Sequence, residues 1–163
     1  MTTSWALRTL LVAYTDPLVL PMLAELSHEY STRYGASHGF PDLVAEQHRG
    51  AVEFGPPDGG VVLVTGAEGP VSGGAFRRHD EVTAELKRIW TASRHRRRGL
   101  ARHTLAALEA EIAASGYRRI HLITGPRQPE AVGLYRAAGY VPQFDESLPP
   151  ERIGKHAFRK DLR

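Results

Sequence analysis

The chain contains no cysteine. That excludes a disulfide framework, a thiolate metal site and any route through an acyl-cysteine. Long apolar runs are missing too: no stretch approaches the roughly 20 residues needed to cross a bilayer. The apolar opening WALRTLLVAY is short, is interrupted by Arg8 and has neither a basic leader nor a small-residue cleavage site, so it is expected to be a strand. The expected location is the cytoplasm, without membrane attachment. Eight histidines occur without HExxH or a helical pair beside a carboxylate, so no metal is expected. His28 and His121 read as surface or satisfied interior groups. Charge of one sign is also scarce, since the net charge is only +3, and the pI near 9.4 reflects a modest surplus of arginine that does not demand a polyanionic partner. What remains is an ordinary globular composition, 42% hydrophobic and 24% charged, in 163 residues that suit one domain over 1–163. Repeats, linkers and low-complexity segments are absent from the sequence.

The stretch from Glu81 to Leu108, EVTAELKRIWTASRHRRRGLARHTLAAL, is the organising feature. Val82, Ala84, Leu86 and Trp90 alternate with Thr83, Glu85, Lys87 and Ile89, the period of a strand with two unlike faces. The basic run Arg94 to Arg98 and Gly99 follow, and then Leu100, Leu105, Leu108 and Ile112 recur at helical spacing. Arginines and a glycine at a helix start make an anion site, because amides without intrahelical partners point outward there. An arginine run in isolation is more often a solvated face. Its place between a strand and a helix gives this one its meaning.

Elsewhere, Asp16 before Pro17 signals a helix start, and Leu18, Met22, Leu26 and Tyr30 form an apolar stripe ending at Gly35. Pro21, late in the first turn, is expected to bend that start. Residues Gly35 to Pro41 read as a loop, and Asp42 to Arg49 as a shorter helix. VVLVTGA and VSGGAFRR are expected to form a hairpin, with Gly73 and Gly74 marking a bulge, a ligand approach or simple packing. After the long helix, RRIHLIT from Arg118 to Thr124 reads as a buried strand. A further helix opens at Pro129 and ends at Gly139, and a last strand from Lys155 to about Lys160 completes a mixed sheet.

Arg96, Gly99 and Ala101 match R/Q-x-x-G-x-G/A, and with the strand before them this stretch resembles the acetyl-coenzyme A loop of the GNAT superfamily of N-acyltransferases. A second anchor lies downstream, where Gln128, Ala131, Leu134, Tyr135, Gly139 and Tyr140 fall on N-x-x-A-x-x-L-Y-x-x-x-G-F/Y. TGPRQPEAVGLYRAAGY looks like a broad bacterial group of that superfamily. The resemblance implies an α/β (α+β) GNAT fold: a mixed sheet of about six to seven strands flanked by about four helices, its central parallel strands splayed. Gln128 replaces the usual asparagine, Ser93 a frequent proline and Thr91 a frequent valine.

The resemblance also assigns roles. Ile89, Trp90 and Thr91 would pair with the pantetheine arm through backbone, as an added strand does. Arg96, Arg97, Arg98, Gly99, Leu100 and Ala101 would hold the pyrophosphate, with Gln128 contacting the cofactor. His95 and His103 could touch phosphate as well. Glu85 stands where the histone-acetyltransferase branch has its general base, and its other reading is an ion pair with Lys87 or with an arginine on the next strand. Tyr135 falls on the position that protonates the coenzyme A thiolate; otherwise it is a core residue with a locally bonded hydroxyl. A backbone N–H near Ile89 to Thr91 would serve the oxyanion. Tyr30, Arg33, Tyr34, His38 and Phe40 are candidates for the acceptor wall, and Arg33, Arg77 and Arg78 hint at an acceptor with a carboxylate.

The leading expectation is therefore transfer of acetyl from acetyl-coenzyme A to a primary amine of a small molecule, by direct attack in a ternary complex. A protein amino terminus or lysine is an alternative acceptor, and a homodimer is left open. A non-catalytic acyl-coenzyme A sensor of the same fold is the second hypothesis. Nucleic-acid binding through Arg94 to Arg98 comes last, because no aromatic platform or recognition helix accompanies the run.

Overall fold

The computed structural model describes residues 6–35 and 42–163. Seven strands form one mixed sheet: β1 Arg8–Val12, β2 Gly60–Gly66, β3 Gly69–Arg78, β4 Thr83–Thr91, β5 Arg119–Thr124, β6 Val141–Pro142 and β7 His156–Asp161. Their spatial order is β1-β2-β3-β4-β5-β7-β6. Every neighbouring pair is antiparallel except β4 with β5. The parallel pair needs a crossover, which α3, Leu100–Ala114, supplies. The other helices are α1 Leu20–Tyr34, α2 Gln47–Glu53, α4 Pro129–Ala137 and α5 Pro150–Ile153. Among the described residues, no helix is long and apolar enough to cross a membrane.

Local chemistry explains the element ends. Asp16 accepts a hydrogen bond from the Leu18 amide at 2.8 Å, and a short 3-10 turn at Pro17–Val19 leads into α1. Pro21 lies in the first turn of α1, where its missing N–H costs no helical bond. Gly35, Gly116 and Gly139 follow their helices at φ 79, 95 and 90, the left-handed region that glycine enters freely. The second helix differs from expectation. Asp42 spends its carboxylate on the amides of Val44 and Ala45, which makes a turn, so α2 starts only at Gln47 and runs to Glu53. His38 and Phe40 lie outside the described residues.

The sheet is packed on both faces. Leu86, Leu105, Leu108, Ile112, Ile120 and Phe158 bury one face against α3, whereas Met22, Leu23, Leu26, Phe54, Leu63 and Trp90 bury the other against α1 and its neighbours. Tyr14 stacks on Phe54 at 5.0 Å, and Gly50 of α2 lies against the Tyr14 ring, where a Cβ would come within 2.1 Å.

The alternation read from the sequence of β4 fails at one point. Ala75 pairs with Lys87 but Gly73 pairs with Trp90, so Gly74 alone opposes Arg88 and Ile89. Arg88 takes φ 62, and the strand bulges. Face parity switches there: Leu86 and Ile89 pack on the α3 side, and Trp90 turns to the α1 side. Gly73 and Gly74 thus mark both a bulge and tight packing. A Cβ on Gly74 would lie 2.7 Å from the Cδ1 atoms of both Ile89 and Leu108. Gly74→Ala is expected to destabilise the fold by about 1–3 kcal/mol through overpacking, read as a lower urea midpoint. An unchanged midpoint would mean that Ile89 and Leu108 are not held as described.

Candidate functional site

Pairing between β4 and β5 covers Thr83 with Arg119, Ala84 with Ile120 and Glu85 with His121. Beyond that point β4 continues to Thr91 and β5 to Thr124 without pairing to each other, so two strand edges open like a fork. The bulge bends β4, and its end is then held on the far side. The buried Ser72 hydroxyl donates to the Trp90 carbonyl at 2.8 Å and lies 2.6 Å from Thr104 Oγ1 and 3.2 Å from Thr91 Oγ1. The Ala92 amide bonds the Val71 carbonyl at 2.8 Å. These bonds fix the end of β4 to β3 and α3.

The basic turn arrives at the mouth of this fork. Arg97 has φ 65, and Gly99, the N-cap of α3, has φ 75. No side chain caps the helix, which leaves the outward amides of its first turn for an anion. Left-handed residues at 97 and 99 curl the backbone into the concave form that gathers such amides. Arg97, Gly99, Leu100 and Ala101 line the cleft. Arg98 does not, and bonds His95 Nδ1 at 3.3 Å instead. His103, expected near phosphate, lies 3.2 Å from Thr9 Oγ1.

Arg96 lines the cleft, but its guanidinium is engaged with Glu29 and Glu25 of α1. Its Nε donates to the Thr91 carbonyl at 3.4 Å, and Glu25 also accepts from the Ser93 amide at 2.8 Å. Arg96 therefore works as a tie between α1 and the end of β4. Its charge is offset before any ligand arrives.

The cleft between these parts has a volume of about 1130 Å³. Ile89, Trp90 and Thr91 form its floor, with Tyr30, Arg33 and Tyr34 of α1 and Tyr135 of α4 as walls. Gln128 Oε1 accepts from the Gly125 amide at 3.1 Å, from Thr124 Oγ1 at 3.3 Å and from the Tyr34 hydroxyl at 3.3 Å. This longer amide is thereby bent back onto the loop before α4. Arg33 pairs with Glu130 and donates to the Arg127 carbonyl at 3.1 Å, while Arg127 pairs with Glu151 at 3.0 Å and donates to the Arg33 carbonyl at 2.8 Å.

Tyr135 is only 5% exposed, with its ring against Tyr140 and Phe158. Its hydroxyl makes no hydrogen bond among the described residues, in contrast to a locally bonded core tyrosine. Burial, and then the neighbouring Tyr30, push its pKa above the usual phenol range. The proton stays on the oxygen at neutral pH.

Glu85 and Arg77 do not line this cleft. They face a smaller adjoining depression with Glu53, Asp58, Arg78 and His79. Glu85 is 7% exposed and accepts from Arg77 Nε at 2.7 Å, the pairing with an arginine on the next strand that the sequence offered as its other reading. Arg77 also pairs with Glu53. The second Glu85 oxygen lies 3.9 Å from His121 Nε2.

His121 was expected to be an unremarkable surface or interior group, but it stands at the apex of the fork, stacked on His79 at 4.5 Å. The potential ligand atoms of His79, Glu85 and His121 lie within 4.8 Å of one another, a grouping that linear spacing could not reveal. The Arg77 guanidinium on the same carboxylate opposes a further cation there.

Burial, with a contribution from His79, lowers the His121 pKa below 6.5, and Glu85 opposes the shift. The unfolded chain therefore takes up this proton at a higher pH than the folded one. The stability contribution is whole above about pH 6.5 and is lost as the pH falls below it. His121→Gln is expected to flatten that part of the decline, measured by urea unfolding at about pH 7.5 and about pH 5.5. A decline of equal steepness in the variant would assign it to other groups.

The sequence model of the Acetyltransferase (GNAT) family matches residues 21–140. No curated protein matches in sequence. Among solved structures, the chain is similar to a GNAT-family acetyltransferase from Staphylococcus aureus, at 13% identity, with 97% of this chain and 100% of that one covered and a TM-score of 0.75. An acetyltransferase from Streptococcus agalactiae matches at 20% identity, with 96% and 98% covered and a TM-score of 0.72. A GNAT-family acetyltransferase from Elizabethkingia anophelis, solved with acetyl-CoA bound, matches at 14% identity, with 96% and 98% covered and a TM-score of 0.64. At these identities the likeness is one of fold.

Proposed function

The chain belongs to the GNAT acetyltransferase family, and on that premise we infer that it transfers acetyl from acetyl-coenzyme A to the primary amine of a small molecule. The observation that carries this reading is the fork: unpaired edges of β4 and β5 beyond Glu85 and His121, opening toward the uncapped start of α3. A pantetheine arm has two amides that can satisfy a strand edge, and its diphosphate suits the turn at Arg97 to Ala101. A cleft of about 1130 Å³ has room for such a substrate beside an acceptor.

The chemistry asks the chain for three things. Backbone N–H groups of the open β4 edge at Ile89 to Thr91 polarise the thioester carbonyl. Glu85 stands outside the cleft, steadied by Arg77 at one oxygen, and takes the ammonium proton through water. The amine nitrogen then bonds to the carbonyl carbon as the carbon–sulfur bond breaks, Tyr135 gives its proton to the leaving sulfur, and the second proton shed by the nitrogen returns through water to the phenolate. The unbonded hydroxyl of Tyr135, kept protonated by burial, supports that role. Tyr30, Arg33 and Tyr34 shape the acceptor end.

A panel of amines with thiol release as the readout tests the reading. One amine class is expected to release free thiol, and Tyr135→Phe to lower kcat about 100-fold, within the range for a positioned acid. Calorimetry on the same protein should show acetyl-coenzyme A binding in both forms. Binding without thiol release from any amine would favour a sensor, and no binding by the folded protein would end the proposal.

A further inference from the structure

The three carboxylates that line the cleft are each cancelled by an arginine, and five cations of the lining are left over among the described residues. Glu29 is paired with Arg96, Glu130 with Arg33 and Glu151 with Arg127. Arg97 and Arg102 stand at the start of α3, where phosphates belong, and Lys155 is exposed. Lys87 and Arg88 line the cleft and have no carboxylate at ion-pair distance among the described residues. The contacts of Arg88 are neutral: the Tyr14 hydroxyl at 3.3 Å and the Phe54 ring at 5.5 Å.

Strict alternation would send one of these two cations to the α3 face. The bulge at Arg88 prevents that, and Arg88 lines the cleft together with Lys87, which pairs regularly with Ala75. The side chains at positions 87 and 88 together supply donors and no acceptor. Burial lowers the Lys87 pKa from its usual value, and Glu85, of opposite charge, opposes that shift. Arg33 and Arg77, the arginines first marked for a carboxylate, are already neutralised.

We propose that Lys87 and Arg88 form an anion subsite for the acceptor, which is an amine bearing a carboxylate close to its nitrogen. The inference rests on the acetyltransferase reading. The carboxylate accepts from the guanidinium and the ammonium, and the nitrogen is left on the side of Glu85, which it reaches through water. β4 presents these opposite charges one pleat apart, roughly 7 Å along the strand.

The test compares an amino acid panel with the decarboxylated amine and the aminophosphonate of each member. The carboxylated amine is expected to exceed its decarboxylated counterpart about 100-fold in kcat/KM, and Lys87→Met and Arg88→Met are each expected to cut that ratio about tenfold. Because Arg88 also supports Phe54, Lys87→Gln and Arg88→Lys serve as milder variants, with thermal melting as the check on folding. Equal rates for both amines, or a ratio that the variants leave unmoved, would overturn the subsite, and a preference for the phosphonate would overturn the carboxylate. If no amine turns over although acetyl-coenzyme A binds, the enzyme reading fails separately. The subsite is then judged by calorimetry of N-acetyl amino acids on coenzyme A-loaded protein: heat lost in Lys87→Met supports it, and no heat in the unaltered protein refutes it.

Discussion

The left-handed backbone at Arg88 lets two residues of β4 oppose Gly74 alone, and the bend that follows keeps β4 and β5 from pairing beyond Glu85 and His121. A parallel pair joined by a long helix would ordinarily run to the ends of both strands, since each unpaired amide inside a fold costs on the order of 1–3 kcal/mol. Here the open edges face a cleft. A ligand with amides of its own can replace the missing ladder bonds, and until then water can do so. The bulge needs Gly74 opposite it, because Ile89 swings into the space a side chain would take.

Two separate cores hold the fork open. On one face Leu86, Leu105, Leu108 and Phe158 bind α3 to the sheet; on the other Met22, Leu23, Leu63 and Trp90 bind α1. Because Ile89 and Trp90 belong to different cores, straightening the bulge would expose large side chains on both faces at about 1.5–3 kcal/mol apiece. The Ser72 hydroxyl and the bonds from Arg96 to α1 then fix where the bent strand ends. Rigidity at this spot matters because the basic turn begins a few residues later. Its left-handed positions at Arg97 and Gly99 aim the start of α3 at whatever lies in the fork.

Much of this was legible in the sequence. The strand, basic turn and helix from Glu81 to Leu108 fall where expected, since apolar spacing and glycine punctuation are local signals. Asp16 and Pro17 mark their helix start for the same reason. What escaped was set by partners distant in the chain. The α2 boundary moved because Asp42 caps a turn of its own, and both cores impose the bulge at Arg88 within a stretch whose side chains alternate without a break. His79, Glu85 and His121 meet only because β4 pairs with β5 and a turn folds over them. Glu85 was readable as either a base or an ion-pair member, and its bond to Arg77 follows from a β3–β4 register that no motif encodes.

The same register divides labour among the cations of the site. Arg77, Arg33 and Arg96 lie opposite carboxylates on α2, α4 and α1, so their charge goes into holding elements together. Breaking such a partly buried pair leaves one ion stranded, which costs more than the pair contributes when intact. These three are therefore poor choices for catching a substrate, because a ligand would first have to displace a built-in acid. Lys87, paired with Ala75, and Arg88, set opposite Gly74 by the bulge, have no acid facing them across the β3–β4 ladder. The irregularity that opens the β4 edge thus also sets the Arg88 charge on the cleft without an acid across the ladder, and one backbone distortion shapes both.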